Sequence, residues 1–167
     1  TMLPLAGSPV IDKMAPLTFT DQRGYGRDFI TSEIGSVEVI RLANALDSPA
    51  LTNVSSSNLV DAWFGQGINH DEYDAARSGA VGDNQSSQMF AQVTGPGRLT
   101  FWWKVSAEGG PTPDRLQFFV DGNASPARSI DGDPRPPLDI PWQQESIDLP
   151  AGVHSLEWRY TKDASGT

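Results

Sequence analysis

The chain has 167 residues and no cysteine, with 12 Lys and Arg against 21 Asp and Glu and a formal net charge of −9. That length holds one ordinary core, or one domain with part of another. The absence of cysteine excludes disulfides, thiol nucleophiles and zinc–thiolate sites, and acidic charge spread along the chain disfavours nucleic acid and anionic membranes as partners.

Composition points to a folded β protein. Hydrophobic residues make up 38% and charged residues 20%, so disorder is not the default, and 16 glycines with 13 prolines suit short strands joined by turns. No apolar run reaches the length that spans a bilayer, so no membrane insertion is expected. Nor does the chain open with a signal peptide. Thr1-Met2-Leu3-Pro4 reads as the middle of something longer, so the chain is taken as a fragment.

Residues 1–40 differ in character from the rest. Leu5-Ala6-Gly7-Ser8-Pro9-Val10-Ile11-Asp12 is a short apolar strand set among turn formers, and Thr20 to Arg27 is a polar loop. Ile34-Gly35-Ser36-Val37-Glu38-Val39 alternates as a strand with one buried face. Two or three such strands bury too little apolar surface to fold alone. The blocks Gly7–Asp12, Thr20–Arg27 and Ile34–Val39, in that order, resemble the C-terminal cap of bacterial surface proteins built on a right-handed parallel β-helix. The resemblance implies that solenoid coils lie upstream of Thr1.

Residues 41–49 read as a linker, weakly helical and ended by Ser48-Pro49. From residue 50 strand signals follow closely. Leu51-Thr52-Asn53-Val54 comes first, then the stretch Asp61 to Phe64. Met89, Ala91 and Val93 share one face. After the turn formers Gly95-Pro96-Gly97, so do Leu99, Phe101, Trp103 and Val105. Leu116, Phe118 and Val120 alternate before the turn Asp121-Gly122. Ile147 and Leu149 precede Pro150-Ala151-Gly152, and Leu156, Trp158 and Tyr160 close the series. Period-two patterning at this turn spacing predicts an antiparallel β-sandwich, with Leu99, Phe101, Trp103, Leu116, Phe118, Val120, Leu156 and Trp158 in its core.

The block Gly95 to Ser106 and the block Leu149 to Asp163 carry a second resemblance, which extends over most of residues 46–165. They are similar to a MAM-like, concanavalin-like jelly-roll module found near the ends of large secreted bacterial proteins. That resemblance implies an all-β chain: an antiparallel jelly-roll sandwich over 50–167, preceded by the cap-like segment over 1–40. It also implies an extracellular or cell-surface setting. Such modules close with one further strand, so truncation at Thr167 is expected to leave a sheet edge open.

Three groups of residues could carry chemistry. A Ser-His-Asp triad would have to use His70 or His154, the two histidines of the chain. His154 reads as a satisfied histidine at a strand end and His70 as part of a polar turn; neither Ser78-Gly79 nor Ser86-Ser87 has the setting of a nucleophile elbow. Calcium is the metal to consider. Asp71, Glu72, Asp74, Asp83 and Asn84 form one acidic stretch, from which Asp71, Asp74 and Asp83 are the candidate ligands; Asp131, Asp133 and Asp139 form another. Neither has EF-hand spacing, and Asx-turns explain such clusters equally well. Aromatic residues are the third group. Trp102 points opposite to Phe101 and Trp103, and Phe119 opposite to Phe118 and Val120. If their strands pair, the two make a platform for a sugar ring; the plainer alternative is a secondary core beneath a covering segment.

The expectation is therefore a non-enzymatic structural or adhesive module of a secreted or cell-surface protein, with neighbouring domains or an extracellular glycan as partners. The alternatives are a carbohydrate-binding module acting through Trp102 and Phe119, and a sandwich-fold glycosidase or lyase. The second lacks a carboxylate pair at strand spacing, since Glu157 has Arg159 as its same-face neighbour.

Overall fold

The computed structural model describes residues 42–57, 61–70, 74–133 and 140–164. The cap-like segment expected over 1–40 lies outside them, as do Asp71, Glu72 and Asp139. The described residues are mostly strand, in antiparallel sheets of five and two strands. Within the expected linker there is one short 3-10 turn, Asn44–Leu46. Among the described residues no helix is long and apolar enough to cross a membrane.

The five-stranded sheet is built on one long hairpin. β4 (Ser86–Trp103) and β7 (Gln143–Thr161) are laddered from Ser86↔Thr161 to Trp103↔Gln143. β1 (Thr52–Ser56) joins the outer edge of β4 near Met89, while β5 (Arg115–Val120) joins β7 and β6 (Arg128–Asp131) joins β5. The spatial order is β1-β4-β7-β5-β6. β2 (Phe64–Gln66) and β3 (Ala75–Arg77) form the separate two-stranded sheet.

Two tracts that read as strand-ending turns are instead the elbow of this hairpin. Gly95 lies opposite Gly152 and Gly97 opposite Leu149, so β7 carries one residue more than β4 between those pairs. An extra residue of this kind bends a ladder without ending it. Gly95 packs so tightly that a Cβ there would run into the carbonyl oxygen of Pro150, and Gly152 has φ +132, a backbone conformation open to glycine.

Beyond the elbow, the half Gly97–Trp103/Gln143–Leu149 packs over the half that carries β1, β5 and β6, sandwich-like. Phe101 of the first half lies 4.9 Å from Phe118 and 5.5 Å from Trp158, ring centre to ring centre. At the rim Arg128, on β6, donates to Glu145 (2.7 Å) and to the Ser146 carbonyl (3.0 Å). The core contains Trp63, Met89, Ala91, Trp103, Val105, Leu116, Phe118, Ile130, Leu156 and Trp158, with Leu99, Phe101 and Val120 partly buried against it. All eight residues read from the strand parity are in or against this cluster. Among the described residues, Gly97–Trp103 is laddered along one edge, to β7, and no strand is laddered to its other edge.

Candidate functional site

The same alternation that buries Phe101 and Trp103 forces Trp102 outward, where it is 42% exposed. The stretch from Thr100 to Ser106, whose strand part is laddered to β7 along one edge, forms one side of a cleft of about 1040 Å³; β2, β3 and the segments flanking them form the other. All five tryptophans of the chain border it: Trp63, Trp102, Trp103, Trp142 and Trp158. Phe64 and Ile68 join Trp102 as exposed apolar side chains on its wall. An apolar surface gathered in one concavity, rather than scattered, makes it the candidate site.

The aromatic end has a defined geometry. The imidazole of His70 stacks on the indole of Trp102, with centroids 3.8 Å apart and planes 13° from parallel. Trp142 meets the same imidazole edge-on at 6.1 Å, and the Lys104 ammonium lies 5.8 Å from the centre of the Trp142 ring. Deeper in, the indole N–H groups of Trp63 and Trp103 are buried without an acceptor among the described residues.

At the opposite end the cleft is polar. Tyr160 donates its hydroxyl proton to Asp114 Oδ2 at 3.1 Å, and burial together with that carboxylate raises the phenol above its ordinary pKa. Tyr160 is therefore a neutral donor at any physiological pH. Asp114 also accepts from the Asp163 backbone N–H at 2.9 Å, and Lys162 lies 3.9 Å from both Asp114 and Asp83. Glu108, Asp114 and Asp163 bring carboxylate oxygens within 4.8 Å of one another. This trio was missed in the sequence because its last member lies 49 residues beyond Asp114.

Of the residues picked out from the sequence, Trp102 stands in the cleft and Phe119 does not. β7 lies between β4 and β5, and the face of β5 that carries Phe119 is turned away from Phe118 and the core. Trp102 and Phe119 therefore occupy opposite outer faces of the folded hairpin and make no joint platform. Phe119 is 4% exposed, beneath the Arg159 guanidinium at 4.4 Å. The cover is one side chain of the adjacent strand rather than a covering segment, and Arg159 is itself bonded to Glu157 at 2.7 Å.

Of the three candidate calcium ligands, Asp71 lies outside the described residues, Asp74 borders the cleft and Asp83 faces Lys162. Asp131 is on β6, 3.7 Å from Arg115. His154 is buried in the middle of β7 rather than at a strand end. Its Nδ1 lies 2.8 Å from Asp121 and its Nε2 3.1 Å from the Pro150 carbonyl, outside the cleft. His70 does more than turn chemistry implied, since its contact with Trp102 spans 32 positions of sequence. Compared with known proteins, the chain matches no family model, no curated protein and no solved structure.

Proposed function

We propose that this chain is a non-catalytic adhesive module that holds an extracellular glycan in the tryptophan cleft. The observation that carries the reading is the gathering of Trp102, Phe64 and Ile68, all exposed, on the wall of one concavity that Trp142 also borders. Flat aromatic faces suit the C–H faces of sugar rings because they bury a large area at small entropic cost. A cleft that is aromatic at one end and has a neutral hydroxyl at Tyr160 toward the other suits a ligand with both apolar faces and hydroxyl groups.

A non-catalytic role is supported by what the titratable groups already do. Both ring nitrogens of His154 are engaged, and Glu157 is bonded to Arg159. The jelly-roll assignment, the likeness to MAM-like modules of secreted bacterial proteins and the cell-surface setting belong to the same proposal. They rest on the Gly95–Ser106 and Leu149–Asp163 blocks and on the folded antiparallel hairpin.

Titrating glycans selected on an array into the protein tests the reading. Trp102→Ala should weaken binding at least about tenfold, which corresponds to about 1.4 kcal/mol, while Phe90→Ala, outside the cleft, should leave it unchanged. Glycan binding that survives Trp102→Ala undiminished, or no binding to any glycan, would reject it. Calcium at Asp71, Asp74 and Asp83 is a separate proposal, read by a rise in melting temperature on adding calcium. Melting unmoved by calcium and by chelator removes it.

A further inference from the structure

We infer that His70 is a built-in competitor for Trp102: its imidazole occupies the indole face that a sugar ring would take, and a ligand stacking there must displace it. The inference rests on the glycan reading of the cleft. At 3.8 Å between centroids and 13° between planes, the two rings are in full contact over their faces. A pyranose stacking on the same face would need that same layer of space, so one face cannot hold both.

The imidazole is placed to leave. His70 is exposed, and among the described residues ring contacts with Trp102 and Trp142 hold its side chain, with no hydrogen bond or ion pair. The backbone before it is held separately, by Gln66 Nε2 donating to the Ile68 carbonyl (2.9 Å) and Asn69 Nδ2 to the Gly67 carbonyl (3.0 Å). Rotation of one side chain therefore bares the indole without remaking the turn. In the free protein the site is self-occupied, and the apparent affinity of a ligand is lowered by the fraction of molecules in which the face is bare. An aromatic stack of this kind is worth a factor of about 2 to 12 in an equilibrium, which sets the size of the effect. If His70 were instead an extension of the platform, with ligand resting on its outer face, removing it would weaken binding. The two roles give opposite signs.

The experiment measures binding of methyl β-glucoside, a simple pyranose with a C–H face, to the unaltered protein and to the variants H70A and W102A. His70 ring protons are followed by NMR in the same titration. We expect them to be shifted upfield by the indole in the free protein, to return toward the ordinary value as the glucoside saturates, and to lose the shift in W102A. H70A should bind about 2- to 12-fold more tightly than the unaltered protein. Binding that needs Trp102 but is equal or weaker in H70A overturns the competitor role and leaves the glycan reading standing. Failure of both the unaltered protein and H70A to bind the glucoside overturns the competitor role, and the glycan reading falls with it when no glycan on the array binds either.

Discussion

His154 presents two ring nitrogens to two oxygen acceptors, the Asp121 carboxylate and the Pro150 carbonyl, and only the imidazolium can donate to both. Asp121 accepts in turn from the Ser155 backbone N–H at 2.9 Å. The hydrogen bond that His154 donates to Asp121 raises the His154 pKa above its ordinary 6.5, and the same bond lowers Asp121 below 3.8. A raised histidine stabilises fully below 6.5 and loses that contribution as pH rises through its folded value. A lowered carboxylate stabilises above 3.8 and loses its contribution as pH falls through its folded value. The pair is therefore strongest between these limits. Urea midpoints of the protein and of His154→Gln should converge as pH rises above 6.5; a difference constant from pH 5 to 9 would contradict the pair. Phe118 is fully buried, and Phe118→Ala should cost about 3–5 kcal/mol in urea unfolding, against less than about 1 kcal/mol for the half-exposed Phe90→Ala. The inward set around Phe118 was legible because strand parity is local. The cover that Arg159 gives Phe119 was not, because it depends on which strand lies beside which.

At the scale of elements, the long β4–β7 hairpin and its elbow decide the architecture. Gly95-Pro96-Gly97 and Pro150-Ala151-Gly152 carry the residues of tight turns, and each alone reads as the end of a strand. Placed opposite one another in register, with one extra residue on β7, they bend a continuous ladder instead. Which of the two they do depends on pairing across more than 50 residues, and that is not written in the local pattern. β3 and β6 were also illegible: Ala75-Ala76-Arg77 and Arg128-Ser129-Ile130-Asp131 are too short and polar to show a period of two. The elbow makes a paired prediction. Gly95→Ala should destabilise by about 1–3 kcal/mol, because the new methyl meets the Pro150 carbonyl. Gly97→Ala, with open space around its Cβ position, should stay within about 0.5 kcal/mol. Equal urea midpoints for the two variants would contradict the elbow as described.

For the whole molecule, folding the hairpin has a functional consequence. It closes Phe101, Trp103, Phe118 and Trp158 into the core, leaving Trp102 on the outside beside the open edge of β4. The outward direction of Trp102 could be read from the sequence. The cleft could not, since it needs Phe64, Ile68 and His70 from the segment around β2 and Trp142 from just before β7 to arrive at the same place. The most direct measurement is an NMR titration of the isotopically labelled protein with an oligosaccharide selected on the glycan array. It follows the five indole N–H signals together with the backbone amides. The largest shifts should fall on Trp102 and Trp142, with smaller ones deeper in the cleft and unmoved amides at Phe90 and Val153, which lie outside it. Shifts centred on Phe90 or Val153, with the Trp102 signal unmoved at saturation, would contradict glycan binding in the cleft.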